Sequence, residues 1–298
     1  MTVQTETKIR AHQLYKKRST WEMVWRQLRK NKGAILGLVL ILLMVAIALL
    51  APTMFNYKSQ VIKNNIRERM QFPSAKHWFG TDELGRDIFR RVIWGARYSL
   101  AVGFVAVIFA LVIGVTIGAL AGYFGGAFEE TVMRICDIFS SIPSVLLAIA
   151  VVSALGKSTT NLMIAVGLAS AAPFTRVARA AVLMVRDEEY IEAARAIGMN
   201  DIQIIWTHVL PNCLSQIIVQ ATLRVGSAII AAAQLSFLGL GVPAPAPEWG
   251  AMLSTGRQYI RDYSYMTLFP GLAIMLSVLS LNMLGDGLRD ALDPKLKR

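Results

Sequence analysis

Charge is scarce in this chain, and what there is leans one way. Only 17% of the 298 residues are Asp, Glu, Lys or Arg, where a soluble domain has about 25%. Hydrophobic residues make up 55%, and the mean hydropathy is +0.49. The 19 acidic residues are outnumbered by 31 basic ones, a formal net charge of +12. Such a composition excludes an ordinary soluble domain and indicates an integral membrane protein. The basic excess does not indicate nucleic-acid binding. Lys and Arg cluster at the ends of long apolar runs, where they set topology and meet anionic lipid, and not along one soluble face.

Cysteine and histidine are also sparse. Cys136 and Cys213 flank apolar segments and read as small buried residues, with neither disulfide nor metal chemistry. His12, His77 and His208 are too far apart in sequence for metal-ligand spacing. There is no G-x-S-x-G nucleophile turn and no H-E-x-x-H pair. Gly156-Lys157-Ser158-Thr159 imitates the end of a phosphate loop, but the first glycine that loop needs would fall at Val151. No catalytic residue, no metal site and no cofactor bound by this chain are expected.

What the sequence does have is apolar length. A spanning helix needs about 20 apolar residues. Charge-free windows lie between Lys32 and Lys58, Arg97 and Glu129, Asp137 and Lys157, Lys157 and Arg176, from near Cys213 to about Leu238, and between Asp262 and Asp286. These predict six transmembrane helices in an all-α membrane protein, with both termini on one side. Residues 1–32 and the tail DPKLKR are basic, which places both ends in the cytoplasm. The loop 54–97 would then be extracytoplasmic despite nine Lys/Arg against four acids. The charge rule weakens for loops of that length. The first 32 residues lack the apolar core of a cleavable signal peptide. The expected organisation is a basic N-terminal segment 1–32, a first span 33–53, an outer loop 54–97, a core 98–287 holding the other five spans, and a cytoplasmic tail 288–298.

Local patterns refine this plan. Ser19-Thr20-Trp21-Glu22 reads as a capping box. Trp21, Val24, Trp25 and Leu28 then recur at helical spacing, predicting an amphipathic helix on the cytoplasmic membrane surface. Gly114, Gly118, Gly122 and Gly126 stand four apart on the second span, where small residues let helices approach closely, within the chain or at a subunit interface. Arg134 and Asp137 can pair on one helix face. Arg224 lies mid-span, where a charge is expensive and is a functional candidate, by pairing with a partner's carboxylate or by facing a wet cavity.

One stretch does not belong in a bilayer. Asp187, Glu188 and Glu189 put negative charge at a helix start. Good helix formers follow to Ile197, and Gly198 suits a left-handed closing residue. Asn200 with Gln203 resembles a second capping box opening a helix through Ile202, Ile205 and Val209, and Pro211 then restricts the chain. This predicts a helical hairpin over 187–211 with more apolar residues than a solvated loop needs, a docking element for another protein. Farther on, Gly239, Gly241, Pro243, Pro245 and Pro247 exclude regular helix. An irregular segment there must be covered by protein or line a wet cavity.

EAARAIG followed by HVLPN resembles the coupling motif of permease subunits in binding-protein-dependent ABC importers, with Val209 where that family often has isoleucine. FGTDELGRDIFRRVIWGARYSL, LSFLGLGVPAPAPEWGAMLS and LGDGLRDALDPKLK resemble the second permease of the dipeptide, oligopeptide and nickel class, across nearly the whole chain. The resemblance implies the type I ABC importer permease fold and an alternating-access mechanism. It implies a homologous second permease, two cytoplasmic ATPase subunits that hold ATP and magnesium, and an extracytoplasmic binding protein as partners. It places the chain in a bacterial or archaeal plasma membrane and makes peptides the expected cargo, with nickel or another small solute as the alternative. By position it assigns ATPase coupling to Glu192, Ala193, Ala194, Gly198, Leu210 and Pro211. An outer gate is implied at Glu248 and Trp249, with Arg224 a possible pathway residue.

Overall fold

The computed structural model describes residues 20–292, and the Ser19 capping expectation lies outside them. Among the described residues the architecture is helical, with a single isolated bridge between Thr81 and Asp87. The helices are α1 (Thr20–Lys30), α2 (Lys32–Met54), α3 (Ile88–Phe124), α4 (Gly126–Ser141), α5 (Ser144–Leu155), α6 (Thr159–Leu183), α7 (Glu189–Ala196), α8 (Asp201–Phe237), α9 (Trp249–Gly256) and α10 (Tyr265–Leu292). Five of these, α2, α3, α6, α8 and α10, are long and apolar enough to cross a bilayer.

The third expected span is not one helix. α4 and α5 meet at a 90° bend. Pro143 forces the residue before it out of the helical region, and Ile142 is extended at φ −90°, ψ 128°. The 12 residues of α5 reach about 18 Å, short of the roughly 30 Å hydrocarbon core. A charge-free window therefore measured apolarity correctly and continuity wrongly. The helix α3 also departs from the plan, because it starts at Ile88 and not at 98. Its charged first turns stay folded because Asp87 caps them, accepting from the Arg90 amide at 3.0 Å, and because Arg91 points into a buried ion-pair cluster.

That cluster organises the segment between α2 and α3. The Asp82 carboxylate accepts from the Leu84 and Arg86 amides and pairs with Arg86 at 2.7 Å and Arg91 at 3.5 Å. His77 bonds Asp87 at 2.8 Å. The Tyr265 hydroxyl donates to the Thr81 carbonyl, tying the segment to α10. Burial, with Asp82 beside it, holds the Glu83 carboxyl above its ordinary range. Gly85 sits so close to the Asn65 carbonyl that an added Cβ would lie 1.7 Å from it. The TDELGRD stretch is thus a closed turn, and the long loop is a packed lobe.

The central seam joins α3 to α6. A Cβ at Gly114 would come within 2.6 Å of the Ala171 carbonyl, at Gly118 within 2.3 Å of the Thr175 carbonyl, and at Gly122 within 2.9 Å of the Arg179 carbonyl. The glycine row therefore serves packing inside the chain. Gly126 does not share that role: it has open space around it and closes the turn into α4 at φ +59°. The main core lies beside this seam, around Leu162, Phe174, Ile229 and Trp249.

α1 packs Val24 and Leu28 against Ala34, Ala291 and Leu292, so part of its apolar face is covered by protein, while Trp25 remains 43% exposed with Arg29 over its ring. Arg134 does not pair with Asp137, which instead bonds Arg176 of α6 at 2.9 Å. The interhelical partner removes the carboxylate from its own helix face. Ser158 caps α6 by accepting from the Asn161 amide, which accounts for the Gly156–Thr159 link as a turn and cap. Cys136 and Cys213 are buried and free.

Candidate functional site

The hairpin lies at the far end of α3 from the 55–87 lobe. Its first half, α7, closes in a Schellman turn: the Met199 amide donates to the Ala194 carbonyl at 3.2 Å and the Gly198 amide to the Arg195 carbonyl at 2.9 Å, with Gly198 at φ +83°. The Asn200 side chain then caps the next helix, accepting from the Gln203 amide at 2.7 Å. That second helix is not a separate element. It runs into α8 through one π turn, Ile205–Val209, in which the Leu210 amide donates to the Ile205 carbonyl. The wider turn shifts the bonding register just where Pro211 has no N–H to give. Pro211 therefore does not end the helix, and the hairpin is a direct extension of a membrane span.

The hairpin has a sealed side and an open side. Ile191, Ala194, Ile204, Ile205, Val209 and Leu210 are buried against Tyr123, Ala178 and Val182 of α3 and α6. Burying a side chain such as Ile191 contributes about 1.5–3 kcal/mol. Polar ties fix the same seam. The Tyr123 hydroxyl donates to Asp201 at 2.7 Å and accepts from Arg195 Nε at 3.2 Å. Arg186 donates to the Gly122 carbonyl at 2.8 Å. The open side carries Tyr190, Ile197, Ile202 and Trp206, with Ile197 79% exposed.

The six residues assigned to coupling divide accordingly. Glu192, Ala193, Gly198 and Pro211 are exposed, whereas Ala194 and Leu210 are buried within the chain and position the others. Sequence reasoning did not single out Tyr190, Ile197 or Trp206. They are spread over two short helices and the turn between them, so they give no single-face periodic signal in the sequence.

The two residues of the expected outer gate are buried. Glu248 and Trp249 are 2% and 1% exposed and line no open surface. Glu248 is the N-cap of α9: its carboxylate accepts from the Gly250 and Ala251 amides at 2.9 and 2.8 Å and from the Ser99 hydroxyl at 3.2 Å. The Trp249 indole donates to the Val92 carbonyl at 2.9 Å. Both residues pin α9 to α3. Glycine and proline spacing showed an irregular segment but not which way its polar residues turn. Replacing Glu248 with alanine strands two buried donors and one part-buried one and is expected to lower stability by about 2–4 kcal/mol. Thermal unfolding in detergent checks this, and a melting curve unchanged from wild type would contradict it. Arg224 is half-buried on α8, with no hydrogen-bond or ion-pair partner among the described residues. Among those residues no group of His, Cys, Asp and Glu could hold a metal ion.

Comparison with known proteins bears on this arrangement. Residues 114–298 match the family described as binding-protein-dependent transport system inner membrane component, and residues 19–73 match the N-terminal TM domain of oligopeptide transport permease C. The chain is 52% identical over 279 residues to the dipeptide transport system permease protein DppC of Alkalihalophilus pseudofirmus, covering 94% of this chain and 91% of that one. It is 44% identical over 280 residues to the glutathione transport system permease protein GsiD of Pectobacterium atrosepticum, covering 94% and 93%. A chain of the inward-facing MetNI methionine ABC transporter superposes with a TM-score of 0.56 at 23% identity, covering 68% of this chain and 96% of that one, which is a likeness of fold.

Proposed function

We propose, from the premise that this chain belongs to the family of binding-protein-dependent transport system inner membrane components, that it forms half of the translocation pathway of an ATP-driven peptide importer. The chain is a non-catalytic, multi-pass membrane subunit. A second permease of similar fold would complete the pathway, two ATPase subunits would hold ATP and magnesium, and a binding protein would deliver the peptide. The hairpin end, with α1 and the end of α10, would lie in the cytoplasm, and the 55–87 lobe outside.

The observation that carries this reading is the open side of the hairpin, an apolar tip with Ile197 79% exposed on an element that is rigidly tied to α3 and continuous with α8. An uncovered apolar tip on a rigid element supports a protein contact at this place. Closure of the ATPase pair on ATP would push this tip. Tyr123 and Arg186 would pass the movement to the α3–α6 pair, and the unbroken backbone would pass it to α8. Glu192, Ala193 and Gly198 would meet the ATPase subunit.

The test is uptake of labelled di- and oligopeptides into vesicles holding the assembled transporter. Uptake is expected only with ATP and the binding protein together, and a Glu192→Arg complex is expected to assemble but lose both uptake and peptide-stimulated ATP hydrolysis. Uptake by this chain alone without ATP would instead indicate a self-contained secondary transporter and overturn the reading. Saturating nickel uptake with no peptide uptake would overturn the cargo.

A further inference from the structure

The outward faces of the spans differ in chemistry. On α2 and α3 the exposed rows are aliphatic, with Leu36, Leu42 and Leu49 on one and Val105, Ile108 and Val112 on the other. Those faces suit lipid. On α8 the exposed row includes Gln216, Ser227 and Gln234, with half-buried Gln220 in line. At about 100° per residue these four fall within an arc of about 40°. From Gln216 to Gln234 the helix rises about 27 Å, close to the full hydrocarbon thickness. Arg224 stands on the shoulder of this row, one turn from both Gln220 and Ser227, without a partner among the described residues.

Facing lipid, each carboxamide would leave donors and acceptors unsatisfied at a cost of several kcal/mol, and an unpaired guanidinium would add more. The row therefore does not face hydrocarbon. Gln234 is the one polar residue lining an open groove of about 510 Å³ between α5, α8, α9 and α10, and Gln216 and Gln220 line another open groove of about 410 Å³ beside Arg289 near the opposite end of α8. A polar track with room at both ends is the wall of a passage.

Resting on the importer reading above, we infer that the Gln216–Gln220–Arg224–Ser227–Gln234 face of α8 binds the peptide in transit through its backbone and its terminal carboxylate, and not through its side chains. A carboxamide offers both a donor and an acceptor and so matches backbone N–H and C=O groups whatever the side chain. Arg224 supplies a fixed positive charge midway along the track, with the fork geometry a carboxylate accepts. Ile230 and Phe237 on the same face leave apolar side chains in the passage a place to slide.

Two measurements on the complete transporter test this. Single cysteines are placed at Gln220, Ser227 and Gln234, and at Ile108 and Val112 as lipid-facing controls, with Cys136 and Cys213 changed to alanine. A membrane-impermeant thiol reagent should label the track positions at least about tenfold faster than the controls, as water contact requires. Equal labelling in a complex that still imports peptide overturns the passage. In the second measurement Arg224→Gln should lower dipeptide uptake about tenfold, the loss of one charge-assisted hydrogen bond, while Arg224→Lys retains most of it. Unchanged uptake and KM in Arg224→Gln overturn the carboxylate role. If the track labels but wild-type complex moves no peptide of any length, it is the peptide-import reading that fails, and the two failures are thereby told apart.

Discussion

Replacing Gly118 with leucine should remove most of the chain from the membrane fraction. A Cβ at this position would lie 2.3 Å from the Thr175 carbonyl oxygen and 2.9 Å from the Ala178 Cβ, before any further side-chain atoms are added. The first of these is backbone, held in the α6 helix, and cannot swing aside. Overpacking a core commonly costs about 1–3 kcal/mol, and a clash against fixed backbone belongs at or above the top of that range. The damage also spreads. The α3–α6 seam carries Phe174 on one side and the hairpin seat of Tyr123, Ala178 and Val182 on the other, so separating the two helices unseats both. Gly126→Ala is the matched control. It meets no atom within 4 Å and bears only the strain of its positive φ, about 1 kcal/mol. Membrane yield and thermal unfolding in detergent read the difference. Gly118→Leu protein that accumulates and melts like wild type would show that the seam is not closely packed.

Ile197→Asp is expected to have the opposite profile, with a sound subunit and a dead transporter. Ile197 is 79% exposed and touches little of its own chain, so its replacement should change the subunit's stability by no more than about 0.5 kcal/mol. If the tip docks as proposed, a carboxylate at this exposed position would have to be buried unpaired against the ATPase subunit. A central contact of this kind is worth about 2 kcal/mol or more, roughly thirtyfold in affinity. Co-purification of the ATPase subunits should fall by that factor, and peptide uptake should cease. Ala194→Asp would be a poor substitute as a test, because Ala194 is buried inside the hairpin and the variant would lose its fold and its coupling together. Retention of the ATPase subunits by Ile197→Asp, with normal peptide-stimulated hydrolysis, would remove the hairpin tip from the contact.

The sequence was most legible where one local rule acted alone. Gly198 closes its helix because a left-handed residue there needs no side chain, and Asn200 caps because its side chain reaches the Gln203 amide three positions on. It was least legible where a residue's partner lies far along the chain. Asp137 had a basic neighbour at helical spacing and chose Arg176 across a helix interface. Glu248 looked like an acid for a passage and serves as a cap, because Ser99 and the first turn of α9 are both donors that burial would otherwise leave empty. The third apolar window hid a 90° bend, since hydropathy averages over Pro143 without registering the turn it imposes. Arg97 marked the edge of a span in the charge pattern, yet the helix already begins at Ile88, because Asp87 caps its first turn and Asp82 receives Arg91.

By itself the sequence determined that this chain lives in a membrane, where its apolar stretches lie, where a charged helical hairpin interrupts them, and which family of importers its motifs match. Those are properties of composition, period and local capping, and each is complete within a few neighbouring residues. The tertiary structure alone decided which faces are covered and which are left open: Gly114, Gly118 and Gly122 turned inward onto α6, Glu248 and Trp249 sealed between α9 and α3, Ile197 and Trp206 left exposed, and the amide row of α8 left beside two open grooves. The physical reason is that exposure belongs to the arrangement of helices and not to any one of them. A glutamine in a span has the same sequence neighbours whether it faces lipid, protein or water, and only the packing of the other spans distinguishes the three.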